Sequence, residues 1–129
     1  MLRLRHSVIF WLVCFLVWFA SLWLLSSFSH TNDNLPSIAN IDKVAHFGYF
    51  FGGGGLLAAL LYRRNPQKPD WPVLILTTTL VISFIGVLDE FHQSFTPGRS
   101  GNDVFDWLAD TLGAFSGALV FKAFHRWIK

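Results

Sequence analysis

Apolar residues are gathered into four long stretches, 8–28, 45–62, 71–88 and 104–124, with short runs rich in Pro, Asn, Gly and charge between them. A helix of about twenty residues, rising about 1.5 Å per residue, crosses about 30 Å of hydrocarbon. The pattern therefore predicts an all-α, four-helix transmembrane bundle, organised as one domain over residues 1–129. Asp106 and Asp110 interrupt the fourth stretch, whose apolar part beyond Asp110 is too short to span. It crosses only if those acids lie near one interface or face other helices. Arg3 and Arg5 ahead of the first stretch also suit a secretory leader. That apolar run is longer than the core of an ordinary leader and no Ala-x-Ala site follows it, so a retained helix is expected.

Composition strengthens the membrane reading. Hydrophobic residues make up 53% of the chain and charged ones only 14%, a balance suited to lipid as the solvent. Cys14 is the single cysteine, which rules out an intramolecular disulfide. Of the ten Lys and Arg residues, Arg3, Arg5, Arg63, Arg64, Lys68, Lys122, Arg126 and Lys129 fall on one predicted side. Only Lys43 and Arg99 fall on the other. Basic residues accumulate on the cytoplasmic side, so both termini are expected there, and the even number of helices agrees. Trp11, Tyr62, Trp71, Trp107 and Trp127 lie near predicted helix ends, where an interfacial aromatic belt belongs. The basic residues are thus accounted for as topological flanks, and nucleic acid is not expected as a partner.

Seven of the eight acidic residues fall on the predicted external side, and their spacing is informative. At about 100° per residue, Asp103, Asp106, Asp110, Gly113 and Gly117 share one face of the fourth helix. Asp42, His46, Tyr49 and Gly53 share a face of the second. Thr79, Ser83, Gly86, Glu90 and Gln93 share a face of the third, with Asp89 at its edge. Each stripe is polar externally and small-residue deeper in. Charged side chains at the bilayer centre cost about 2.5–3.5 kcal/mol each, so the three stripes are expected to face one another. The expected result is a tightly packed lower bundle beneath an outward polar pocket. The glycines at 52–55 lack the Lys-Ser/Thr of a phosphate loop and are read as a packing surface. Gly113-x-x-x-Gly117 is the familiar close-packing device, joining either neighbouring helices or two copies of the chain.

Three ordered motifs carry a family resemblance: Asp42-Lys43-x-x-His46-Phe47; Asp89-Glu90-Phe91-x-Gln93-x-Phe95-x-Pro97-Gly98-Arg99; and Asp106-Trp107-Leu108-Ala109-Asp110-Thr111-Leu112-Gly113-x-x-x-Gly117. Over residues 41–117 the chain resembles the VanZ-like family of bacterial membrane proteins. The resemblance implies a multi-pass protein of the bacterial cytoplasmic (inner) membrane. Its polar signature falls on Asp42, His46, Glu90, Gln93, Arg99, Asp106 and Asp110, the positions already singled out by the stripes. The family is named after a protein associated with low-level resistance to the glycopeptide teicoplanin, and its general biochemical activity is not established.

Three functions compete at this stage. In the first, the protein binds or modulates an envelope component, with Arg99 on a phosphate and the acids and Gln93 accepting hydroxyl or amide protons from a membrane lipid or lipid-linked precursor. In the second, His46, Glu90, Asp106 and Asp110 hold a divalent metal in a hydrolase acting on such a lipid. Neither a paired-His spacing nor a Ser or Cys nucleophile with a base nearby in sequence supports the second. An ion-coupled transporter is the third, and acids confined to one end trace no path across a bilayer. No cofactor follows from the motifs, and a divalent metal is tied to the hydrolase reading alone.

Overall fold

A computed structural model describes residues 4–27, 41–97 and 103–128. Four helices follow in order: α1 (Val8–Ser27), α2 (Ile41–Arg64), α3 (Trp71–Gln93) and α4 (Val104–Phe124). A 3-10 turn precedes α1 at Leu4–His6, and another follows α4 at His125–Ile128. All four helices are long and apolar enough to cross a membrane. The expected elements are all present, but α2 begins four residues earlier than its apolar stretch and α3 runs five residues beyond its own. Those added turns carry Asp42, Lys43, Asp89, Glu90 and Gln93, so hydropathy undercounts the helices where their chemistry lies.

Local chemistry starts the last two helices. Asp70 caps α3, its carboxylate accepting from the Val73 amide at 3.3 Å, with Pro72 in the first turn, where a missing N–H is harmless. Asp103 caps α4 in the same way, accepting from the Phe105 amide at 2.9 Å. Its backbone N–H donates to Glu90 Oε2 at 3.2 Å, which pins the start of α4 to α3.

The core is a seam between α2 and α4. A Cβ on Gly54 would lie 2.3 Å from the Ala114 carbonyl oxygen, and one on Gly117 would lie 2.2 Å from that of Phe51. Backbones this close gain dispersion contact without any hydrophobic driving force, the form of helix association that lipid permits. The Gly113–Gly117 face is therefore covered by α2 of the same chain; of the glycines at 52–55, Gly53, Gly54 and Gly55 belong to a packing surface, whereas a Cβ on Gly52 would meet nothing within 4 Å. Helix α1 joins through a reciprocal pair: Trp18 Nε1 donates to the Tyr49 carbonyl at 3.0 Å, and Tyr49 Oη donates to the Trp18 carbonyl at 2.8 Å. Gly53 leaves the space that the Trp18 ring fills.

The bundle has two dissimilar ends. At one, Arg5 Nη1 donates to the Trp127 carbonyl at 3.0 Å, which places both chain ends on the same side. Tyr62, Trp71, Phe121 and His125 cluster there. The other end carries the acids.

Candidate functional site: a buried carboxylate–histidine cluster

The first turns of α2 and α4 face each other across the polar end. Lys43 Nζ lies 3.2 Å from Asp106 Oδ1, 3.4 Å from Asp103 Oδ2 and 3.5 Å from Asp42 Oδ2. One ammonium thus serves three carboxylates. Burial pushes the Asp103 carboxyl up, but the Phe105 amide and Lys43 together outweigh it, and Asp103 rests below its ordinary 3.8. Asp42 is the exposed rim of this group, whereas Asp106 is buried.

One helical turn deeper, His46 is flanked by two acids of α4. Its Nδ1 is 2.8 Å from Asp110 Oδ1, and its Nε2 is 3.7 Å from Asp106 Oδ2. The spacing of Asp106 and Asp110 puts both carboxylates on one face of α4, and the His46 ring lies between them. Asp110 has no exposed surface. A Cβ on Gly86 would come within 2.9 Å of Asp110 Oδ2, so this glycine of α3 is what makes room for the carboxylate. From α3, Glu90 reaches the same place at only 4% exposure. A ring nitrogen of His46 and one carboxylate oxygen each from Glu90 and Asp110 lie within 4.8 Å of one another. Among the described residues eight buried side-chain polar atoms lack a hydrogen-bond partner, and two of them, Glu90 Oε1 and Asp110 Oδ2, belong to this cluster. Buried polar atoms are ordinarily satisfied, so two orphan oxygens in one cluster require an explanation.

A second polar group lies between α1 and α3. Asp89 is 1% exposed and accepts from Ser26 Oγ and, at 2.8 Å, from Gln93 Nε2. Thr96 Oγ1 donates to the Ser26 carbonyl at 2.9 Å. A cavity of about 320 Å³ separates this group from His46. Its lining is mixed, with Leu22, Leu25 and Phe50 beside Asp42, His46, Asp89 and Gln93.

Of the seven residues expected at the site, His46, Glu90, Asp106 and Asp110 converge. Asp42 joins them through Lys43, and Gln93 belongs to the Asp89 group instead. Arg99 lies outside the described residues. Lys43 and Ser26 lie outside the expected set, and Asp89, expected at the edge of the α3 stripe, pairs with Ser26 and Gln93. Lys43 shares a helix face with His46 three residues on and stands beside Asp42 in the first motif, the two signals in the sequence that point to it. His92 stacks on Trp23 of α1 with ring centres 3.8 Å apart.

No curated protein and no solved structure matches the chain. A family model, VanZ/LLP1, matches residues 3–125, which take in all three polar stripes and the helices α1 to α4. The carboxylate–histidine cluster is thus a feature of a multi-pass membrane protein that belongs to the VanZ/LLP1 family.

Proposed function

We propose that the protein binds an amphiphilic component of the bacterial envelope, such as a lipid-linked precursor, through the cleft between α1, α2 and α3. The observation that carries this reading is the mixed lining of the 320 Å³ cavity, which combines Leu22, Leu25 and Phe50 with the carboxylates, His46 and Gln93. Such a lining suits a ligand with an apolar chain and a polar head. Acceptors dominate the polar part of the lining, which favours a head rich in hydroxyl, amide or ammonium donors over a bare phosphate. The basic residues at the opposite end favour both termini in the cytoplasm, which turns the cleft outward from the inner membrane. A link to teicoplanin resistance would follow from occupying or rearranging a lipid-linked target of that antibiotic.

The test is native mass spectrometry of the detergent-purified protein, titrated in parallel with a polyprenyl-linked saccharide, phosphatidylethanolamine and phosphatidylglycerol. Retention of a donor-rich amphiphile, weakened about tenfold in Asp42→Asn together with His46→Ala, is the expected result. Equal retention of phosphatidylglycerol, or indifference to the two substitutions, would overturn the reading.

A further inference from the structure

We infer that His46, Glu90 and Asp110 form a binding site for one divalent metal ion. The inference goes beyond the amphiphile reading and does not depend on it, although His46 borders both places.

Three observations converge. The donor atoms come from three helices and already lie within 4.8 Å of one another. Ligands held about 2.1 Å from an ion stand about 3 Å apart when adjacent and about 4.2 Å when opposite, so only a small closure is needed. Glu90 and Asp110 are both more than nine-tenths buried, and each keeps one carboxylate oxygen without a hydrogen-bond partner. An ion takes up such lone pairs, which nothing else among the described residues does. The charge also balances: two carboxylates and a neutral imidazole match a doubly charged cation. Among the described residues no Lys or Arg pairs with Glu90 or Asp110, because Lys43 is engaged by Asp42, Asp103 and Asp106.

The surroundings fit a ligand imidazole. His46 has a carboxylate beside each ring nitrogen, so whichever nitrogen meets the ion, the other N–H still faces an acceptor. This is the outer arrangement that fixes the orientation of metal-bound histidines. Two carboxylates and one imidazole select a hard to borderline ion, of the Mn²⁺, Mg²⁺ or Zn²⁺ kind. Gly86 belongs to the site because a side chain there would displace the Asp110 carboxylate. The second acidic trio, Asp42, Asp103 and Asp106, is the weaker candidate, because Lys43 already supplies its cation.

Mn²⁺ alone is the probe, added to the full chain in detergent without any lipid ligand and read by electron paramagnetic resonance. One ion per chain is expected, with a nitrogen coupling in the pulsed spectrum. Glu90→Gln and Asp110→Asn should each weaken binding by about tenfold or more, and Asp42→Asn should leave it within about twofold. His46→Gln should remove the nitrogen coupling. A chain with Gln in place of His6, His30, His92 and His125 should keep it, which decides the point even if the His46 variant does not fold. A folded wild-type protein that binds no Mn²⁺ overturns the inference. So does an ion without nitrogen coupling, or binding that is lost with Asp42 but survives Glu90→Gln. None of these outcomes bears on lipid retention, so the two proposals fail separately.

Discussion

At the end of the bundle that holds both termini, Tyr62 is 1% exposed and packs against Trp71, Phe121 and His125 from α3, α4 and the final turn. Arg63 completes that end, its guanidinium 5.5 Å from the Tyr62 ring centre. At the other end, acids from three helices crowd around Lys43 and His46. Buried polar atoms without a hydrogen-bond partner occur at both ends, Tyr62 Oη and Arg63 Nε and Nη2 at the first and Glu90 Oε1 and Asp110 Oδ2 at the second, so charge is what separates them. The first end has the makings of a stabilising core, with large rings in contact and a cation over an aromatic face. The second concentrates like charge where the dielectric is low, an arrangement that stability alone does not favour. The contrast teaches where to look for function: one end holds the helices together, and the tight α2–α4 seam lets the other carry groups that would otherwise push apart.

Three measurements would break or sharpen this contrast. The largest effect is expected at the aromatic end, where Tyr62→Ala should lower unfolding stability in detergent by about 3 kcal/mol, because a fully buried ring is lost from the junction of three helices. A loss under about 1 kcal/mol would show that the seam alone holds the bundle. Next, Asp106→Asn should change stability by no more than about 1 kcal/mol in either sense. It removes one of three carboxylates competing for Lys43 and keeps an acceptor beside His46. A loss of 3 kcal/mol or more, the cost of breaking a well-formed buried ion pair, would make the polar end structural after all. The smallest effect concerns acid. Asp103 is below its ordinary value in the folded chain, so its stabilisation is present above that value and fades as pH falls through the lowered one. Asp103→Asn should therefore flatten slightly the acid side of a melting-temperature profile below about pH 4. An unchanged profile would mean that neither the Phe105 amide nor Lys43 stabilises the charged Asp103.

Much of this was legible in advance. Four apolar runs announced four helices, and the spacing of Asp106, Asp110, Gly113 and Gly117 placed the acids of α4 on the face that meets α2. The helix ends were less legible, because hydropathy falls where Asp42 and Glu90 begin, whereas the hydrogen-bonded backbone continues through them. Ser26 gave no signal at all. It ends an apolar helix, and the carboxylate it meets lies 63 residues away. The choice between neighbour and second copy at Gly113 and Gly117 could not be made from spacing, since both use the same small-residue device; the close approach to Phe47 and Phe51 shows the neighbour.

The pairing of α4 with α2 also bears on how the chain is made. Helix α4 brings two acids into a segment that must enter lipid, and alone it would be a poor candidate for release from the insertion machinery. Its counterparts, Lys43 and His46, lie on a helix synthesised some sixty residues earlier, as do the carbonyls that its glycines meet. The partner is therefore waiting before the helix that needs it emerges, and biosynthetic order performs a task that hydrophobicity alone would leave undone.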